Sequence, residues 1–119
     1  MGSGREEFLA RLRDEFPDVV AHIRPDESGL LHLEMAAFRR ATEEAMDAGR
    51  LWESERHFRL VEELLEEANP ELCNALEVSY LEDLALGECT QARRLAVHER
   101  MPRLLRERLA QHRREWLER

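Results

Sequence analysis

Nine carboxylates crowd residues 58–92, where Arg59 is the only positive side chain: Glu62, Glu63, Glu66, Glu67, Glu71, Glu77, Glu82, Asp83 and Glu88. Carboxylates at this density can hold a metal, work as an acid–base pair, or present an anionic face to a basic partner, and their spacing separates these uses. A di-metal helical bundle needs Glu three residues before His on two helices. None of the five histidines meets that rule, since Val19, Gly29, Ser54, Leu95 and Leu109 stand there. The zinc pattern that begins His98-Glu99 fails as well, because Pro102 occupies the place of the second histidine.

Nucleophilic and phosphate chemistry find no better support. The chain has no G-x-S-x-G turn and no glycine-rich loop after a strand. Cys73 falls on an apolar helix face, where a thiol is a small inert hydrophobe. Cys89 is sixteen residues away, without the pairing of a zinc or disulfide framework. Adjacent carboxylates such as Glu62 and Glu63 read as a solvated face, and His57, four residues after Glu53, has the spacing of a surface ion pair. The sequence therefore predicts no metal, no cofactor and no enzyme. Two acids stand apart: on an α-helical wheel Glu77 and Asp83 fall inside the apolar arc of their helix. They are expected to be buried against an arginine, with Arg93 or Arg94 as candidates, or to face a groove.

The elements that position these residues are helical. β-branched residues are few, and the apolar period is 3.6 throughout. Ser3 and Glu6 have capping-box spacing before a helix that Pro17 ends. Residues 18–27 read as a short turn or loop, Ser28 as the cap of a helix over 29–48, and Gly49 as its stop. A helix over 51–68 follows. Asn69-Pro70 then caps and opens the next, over 70–86, so closely that the two should pair as an antiparallel hairpin. That helix is apolar nearly all round and belongs at the centre of a bundle. Gly87 ends it, Thr90 caps a fifth helix, and Pro102 opens a last one with Leu105, Leu109, His112 and Trp116 on one face. The expected fold is all-α: a single domain over 1–119, with five or six helices in antiparallel hairpins around the 70–86 helix, or a short solenoid of such hairpins. Residues 1–4 read as start residues without a role.

Composition narrows the partner. The chain has 119 residues, 43% apolar and 37% charged, with a net charge of −8, and all 18 basic residues are arginine. Residues 1–92 hold 22 acids against 9 arginines, and residues 93–119 hold 4 against 9. An acidic body disfavours nucleic acid and favours a basic protein. The C-terminal arginines alternate with Glu107 and Glu115 and lack aromatic residues interleaved for base stacking, so they read as offsetting the acidic body. No run reaches the roughly 18 apolar residues of a membrane span, and no leader is apparent, so a cytoplasmic protein is expected.

From Phe58 onward the chain resembles a family of small all-helical bacterial proteins of undefined function that look like immunity proteins of toxin–immunity systems. The resemblance rests on F-x-x-x-E-x-L-L (Phe58, Glu62, Leu64, Leu65), on Asn69-Pro70-Glu71-Leu72, and on S-x-L-E-x-L (Ser79, Leu81, Glu82, Leu84), followed by an arginine-containing helix with Trp116. It implies a non-enzymatic protein that neutralises a cognate toxin and implies no catalytic residue. Charge then suggests a basic toxin domain, held by Glu63, Glu66, Glu67, Glu71 and Glu82. The alternative is a helical scaffold or regulatory domain, homodimeric through its C-terminal helix.

Overall fold

The computed structural model describes residues 2–86 and 89–117, with the backbone alone for residue 86 and residues 112–117. The Gly87 stop, Glu88, and the side chains of His112 and Trp116 lie outside the described residues.

The chain begins with an extended strap. Ser3 donates its N–H to the Glu67 carbonyl at 2.5 Å and accepts from the Asn69 N–H at 2.7 Å, forming a parallel bridge to Ala68. Helix α1 (Arg5–Glu15) therefore starts one residue later than the Ser3/Glu6 spacing predicts. Gly4 is its N-cap, and the Glu7 carboxylate accepts the Gly4 N–H at 2.9 Å. Phe8, Leu9 and Leu12 face inward, and Pro17 both stops α1 and opens the short α2 (Pro17–Ala21). Ser28 does not cap α3 (Leu31–Asp47). Gly29 has φ +91°, a left-handed conformation that blocks helical continuation, so Leu30 becomes the N-cap. Gly49, at φ +78°, makes the turn into α4 (Leu51–Glu67) as expected.

At the Asn69-Pro70 corner the Asn69 side chain accepts the Leu72 N–H at 2.8 Å, and Pro70 opens α5 (Pro70–Ala75). The helix then passes into a π-helical segment, Leu76–Glu82, and returns to α-geometry in α6 (Asp83–Leu86). Thr90 Oγ1 accepts the Arg93 N–H to start α7 (Gln91–Arg100), and α8 (Arg103–Leu117) follows Pro102. The fold is all-α.

The rod over 70–86 is central, as its composition demands: Leu72, Ala75, Leu76, Tyr80, Leu81 and Leu84 are all buried. Its main partner is α3 rather than α4. Helix α3 packs against α2, α4, the whole rod and α7, whereas α4 packs chiefly on α3 and α8. The expected hairpin of α4 with the rod thus gives way to a rod laid along α3. These contacts between elements distant in sequence are also not the neighbour-only stacking of a solenoid. Phe38 of α3 is the hub, 4.9 Å from the Tyr80 ring and within 6.2 Å of the Phe8 and Phe16 rings. Buried aromatic surface of this extent dominates a core of this size.

Candidate functional site: the anionic corner between α4 and α5

The end of α4 and the start of α5 place Glu66, Glu67 and Glu71 around one sharp corner, all exposed. Among the described residues no arginine lies within ion-pair distance of any of the three, nor of half-buried Glu62 one turn back. The setting makes this costly for Glu66 and Glu67. They occupy the last turn of α4, which holds no basic residue, and the carbonyl end of a helix repels anions. Glu71, in the first turn of α5, sits at the favourable end.

The five expected contact residues do not make one patch. Glu63 is committed to Arg11 at 2.6 Å, a guanidinium it shares with Glu15. Glu82 is half-buried at the far end of the π segment. The eleven residue steps of helix from Glu71 to Glu82 put it about 16 Å along the axis. The strap lies on the corner itself. A Cβ on Gly2 would meet the Asn69 nitrogen at 2.6 Å and the Ala68 carbonyl carbon at 2.9 Å, so only glycine lets the strap approach so closely. Residues that read as a start without a role therefore help to shape the corner.

Elsewhere several acids are paired across elements. Arg39 of α3 reaches Asp83 at 2.9 Å and Glu43 at 3.3 Å, and Arg93 of α7 bridges to Glu43 and Asp47 of α3. Arg100 meets Glu55 at 3.2 Å, and Arg108 meets Glu77 at 3.5 Å. The C-terminal arginines thus do reach back to the acidic body.

Asp83 is not buried as the wheel predicts: its side chain is 55% exposed, and its partner is Arg39. Each i→i+5 turn of the π segment holds an extra residue, which rotates everything after it away from an α-helical wheel. Glu77 is largely covered, with Arg108 and the Cys73 thiol as neighbours. Arg93, a candidate for either acid, is spent on α3. Desolvation, then Glu77, raises the Cys73 thiol above its ordinary pKa.

Among the described residues the deeply buried carboxylates are Glu34 and Glu27. Arg5 grips Glu34 with two parallel hydrogen bonds of 2.7 and 2.8 Å, and the Gly29 N–H adds a third at 3.0 Å. These, led by Arg5, hold the Glu34 carboxyl below its usual range. The Leu31–Glu34–Phe38 spacing placed Glu34 on the core face of α3 and could have revealed it. Glu27 accepts from the Arg24 backbone N–H and from the Arg40 and Arg24 guanidiniums, which depress its pKa to about 2. It lies in a loop, where no periodicity marks it. His57 is likewise no surface partner of Glu53. It is buried, with Nδ1 at 2.9 Å from Thr42 Oγ1, which also meets the Tyr80 hydroxyl at 2.7 Å.

No group of three or more His, Cys, Asp or Glu among the described residues is arranged to hold a metal ion, and no helix among them is long and apolar enough to cross a membrane. Comparison with curated proteins and with solved structures gives no match. A family model does match, over residues 9–117, and so reaches from α1 to the end of α8, including the N-terminal half that carries no recognisable motif. The chain belongs to that family, described as a domain of unknown function, DUF7674.

Proposed function

We propose that this chain is a non-enzymatic, cytoplasmic immunity-type protein that binds a cognate basic toxin domain through the anionic corner and blocks it. One observation carries the reading. Many acids are paired with arginine between elements, yet among the described residues Glu66, Glu67 and Glu71 cluster at one exposed corner without one, the first two where the α4 dipole already opposes negative charge. Toxin domains that act on nucleic acid or nucleotides need basic clefts for phosphate. A cluster of fixed carboxylates steers such a cleft toward the corner and occupies it. The resemblance of the segment from Phe58 onward to immunity proteins supports the same reading. Glu63 and Glu82 become peripheral in it, the first because Arg11 holds it and the second because of its distance.

The test is co-expression with candidate toxin domains taken from the reading frames next to this chain's own. The wild type should rescue growth and form a complex whose association slows as salt is raised. Reversal of all three, Glu66→Arg, Glu67→Arg and Glu71→Arg, should abolish rescue while circular dichroism stays unchanged. Rescue that survives the triple reversal would remove the corner from the mechanism, and the lack of any complex at low salt would remove the immunity reading itself.

A second reading has one observation in its favour. Leu95 of α7 and Leu104 of α8 are exposed, which suits a scaffold domain that pairs with its own copy through the C-terminal helices. Light scattering of the wild type against Leu95→Glu/Leu104→Glu separates the two: a dimer lost in the variant favours self-association, and a monomer in both favours the inhibitor.

A further inference from the structure

A groove of about 610 Å³ opens between α2, α3 and the start of α4, at the end of α4 opposite to the anionic corner. Its apolar lining is small: Val19, Ala37 and Ala41. Short side chains on the groove face of α3 create the depth, since a leucine at either alanine would fill it.

The charges around it are of both signs. Arg24 and Arg40 line it, both hydrogen-bonded to Glu27, which is only 2% exposed. Arg40 Nη2 lies 2.8 and 3.0 Å from the two Glu27 oxygens, and Arg24 Nη2 lies 3.3 Å from one of them. A guanidinium has five N–H donors, so each keeps donors to spare after this contact. Asp26 approaches Arg24 only at 4.0 Å and is 79% exposed, too far and too solvated to consume that charge. The remaining charges are Asp18 on α2, Glu44 one turn beyond Arg40 on α3, and the Arg50–Glu53 pair at 2.7 Å, with Glu44 also acting on Arg50 through space. Among the described residues neither Asp18 nor Glu44 has an ion pair. The His22 ring donates from Nδ1 to the Asp18 carbonyl at 2.6 Å, which holds it against α2.

We propose that this groove binds a small zwitterion of dipeptide size, its carboxylate on Arg24 and Arg40, its ammonium on Asp18 and Glu44, and its side chain over Val19, Ala37 and Ala41. Size and charge both select this class. The volume falls within the roughly 300–1,000 Å³ of small-molecule sites and exceeds the needs of a single ion. A plain anion gains the guanidiniums but meets Asp18 and Glu44, and a plain cation has the reverse difficulty. Glu27 supplies preorganisation: the buried carboxylate sets both guanidiniums before a ligand arrives, which lowers the ordering cost of binding. The inference does not depend on the toxin-binding reading, since the two surfaces lie at opposite ends of α4.

The experiment is an amide-resolved NMR titration of the full chain with alanyl-leucine, its N-acetyl form and its C-terminal amide. The zwitterion should shift the Val19, Ala37 and Ala41 amides saturably, and each capped form should bind about tenfold more weakly, the loss of one charged contact. Glu44→Gln, an exposed change, should weaken the zwitterion by a similar factor and leave the N-acetyl form unaffected. Ala41→Leu should abolish the shifts while preserving the rest of the spectrum. Failure to saturate below about 20 mM, a response at the limit of specific recognition, would overturn the proposal. So would equal binding of all three peptides, or shifts confined to other parts of the chain.

Discussion

His57 should make this protein acid-sensitive well above the pH at which carboxylates protonate. Its Nδ1 and the Tyr80 hydroxyl both converge on Thr42 Oγ1, which also lies 3.3 Å from the Phe38 carbonyl. One arrangement satisfies all of them. Thr42 gives its single hydrogen to Phe38, while Tyr80 and the His57 Nδ1–H donate into the Thr42 lone pairs. The imidazole is then neutral, and Nε2 is left as a bare lone pair, buried without a hydrogen-bond partner. The ring is wedged between Phe16 at 4.6 Å and Phe38 at 5.1 Å. Burial pushes its pKa down to about 4, with Glu53 opposing and Arg56 assisting through space.

The sign follows from linkage. The unfolded chain takes up the proton near the ordinary histidine pKa of about 6.5, and the folded chain resists until about 4. Stability from this group is therefore complete above about pH 6.5 and is lost as the pH falls toward 4. Between about pH 7.5 and about pH 5 the loss amounts to about 2 kcal/mol, reaching about 3 near pH 4. Stopping at about pH 5 matters, because Glu27 and Glu34 have lowered pKa values and add their own losses only below the ordinary carboxylate range. Urea denaturation followed by far-ultraviolet circular dichroism should show the wild-type midpoint falling by about 1 M between the two pH values. In His57→Phe, which joins the existing aromatic cluster, most of that fall should vanish, whatever the absolute stability of the variant. Equal falls in wild type and variant would refute the buried-histidine argument.

Two further expectations are simpler. Replacing Asn69 by Ala removes the side-chain acceptor for the Leu72 N–H and should cost about 1 kcal/mol in the same denaturation experiment, with a smaller loss for Asn69→Gly. Cys73, half-buried and with its thiol raised by desolvation and by Glu77, should react with a disulfide reagent near pH 8 much more slowly than a model thiol; Glu77→Gln should speed that reaction.

How far the sequence disclosed this molecule depended on whether the signal was local. Asn69-Pro70, Gly49 and Thr90 each act within four residues of themselves, and each does in the structure what its side chain or backbone dictates. Ser3 and Ser28 failed for non-local or competing reasons: Ser3 is engaged by the α4–α5 corner, and Gly29 turns the chain left-handed immediately after Ser28. The π segment left no mark in the apolar period, because Leu72, Leu76 and Leu84 fit an α-wheel too, and it was the wheel that misplaced Asp83. Which carboxylates would be buried was half legible. Glu34 follows the core spacing of α3, but Glu27 lies in a loop and is fixed by Arg24 three residues before it and by Arg40 of α3, and the second pairing is one no one-dimensional pattern encodes. The same holds for the anionic corner. The run of acids was plain, yet only the structure could show that Arg11 takes Glu63 while Glu66, Glu67 and Glu71 have no arginine among the described residues.

That selectivity yields the most discriminating prediction about function, because stability and binding should move in opposite directions. Acids outnumber arginines by 26 to 18, so some must go without. A fold optimised for stability alone would leave them at helix N-termini or scattered over solvated faces, not paired in the last turn of α4. Glu66→Lys with Glu67→Lys reverses an unfavourable interaction with the helix dipole and should raise stability by about 1 kcal/mol at low salt, less as salt screens it. If the corner is kept for a basic partner, that more stable protein should bind its toxin domain worse, a trade of stability for function. A double variant less stable than the wild type would mean that the two carboxylates serve the fold itself, and the reason for treating the corner as a docking surface would disappear.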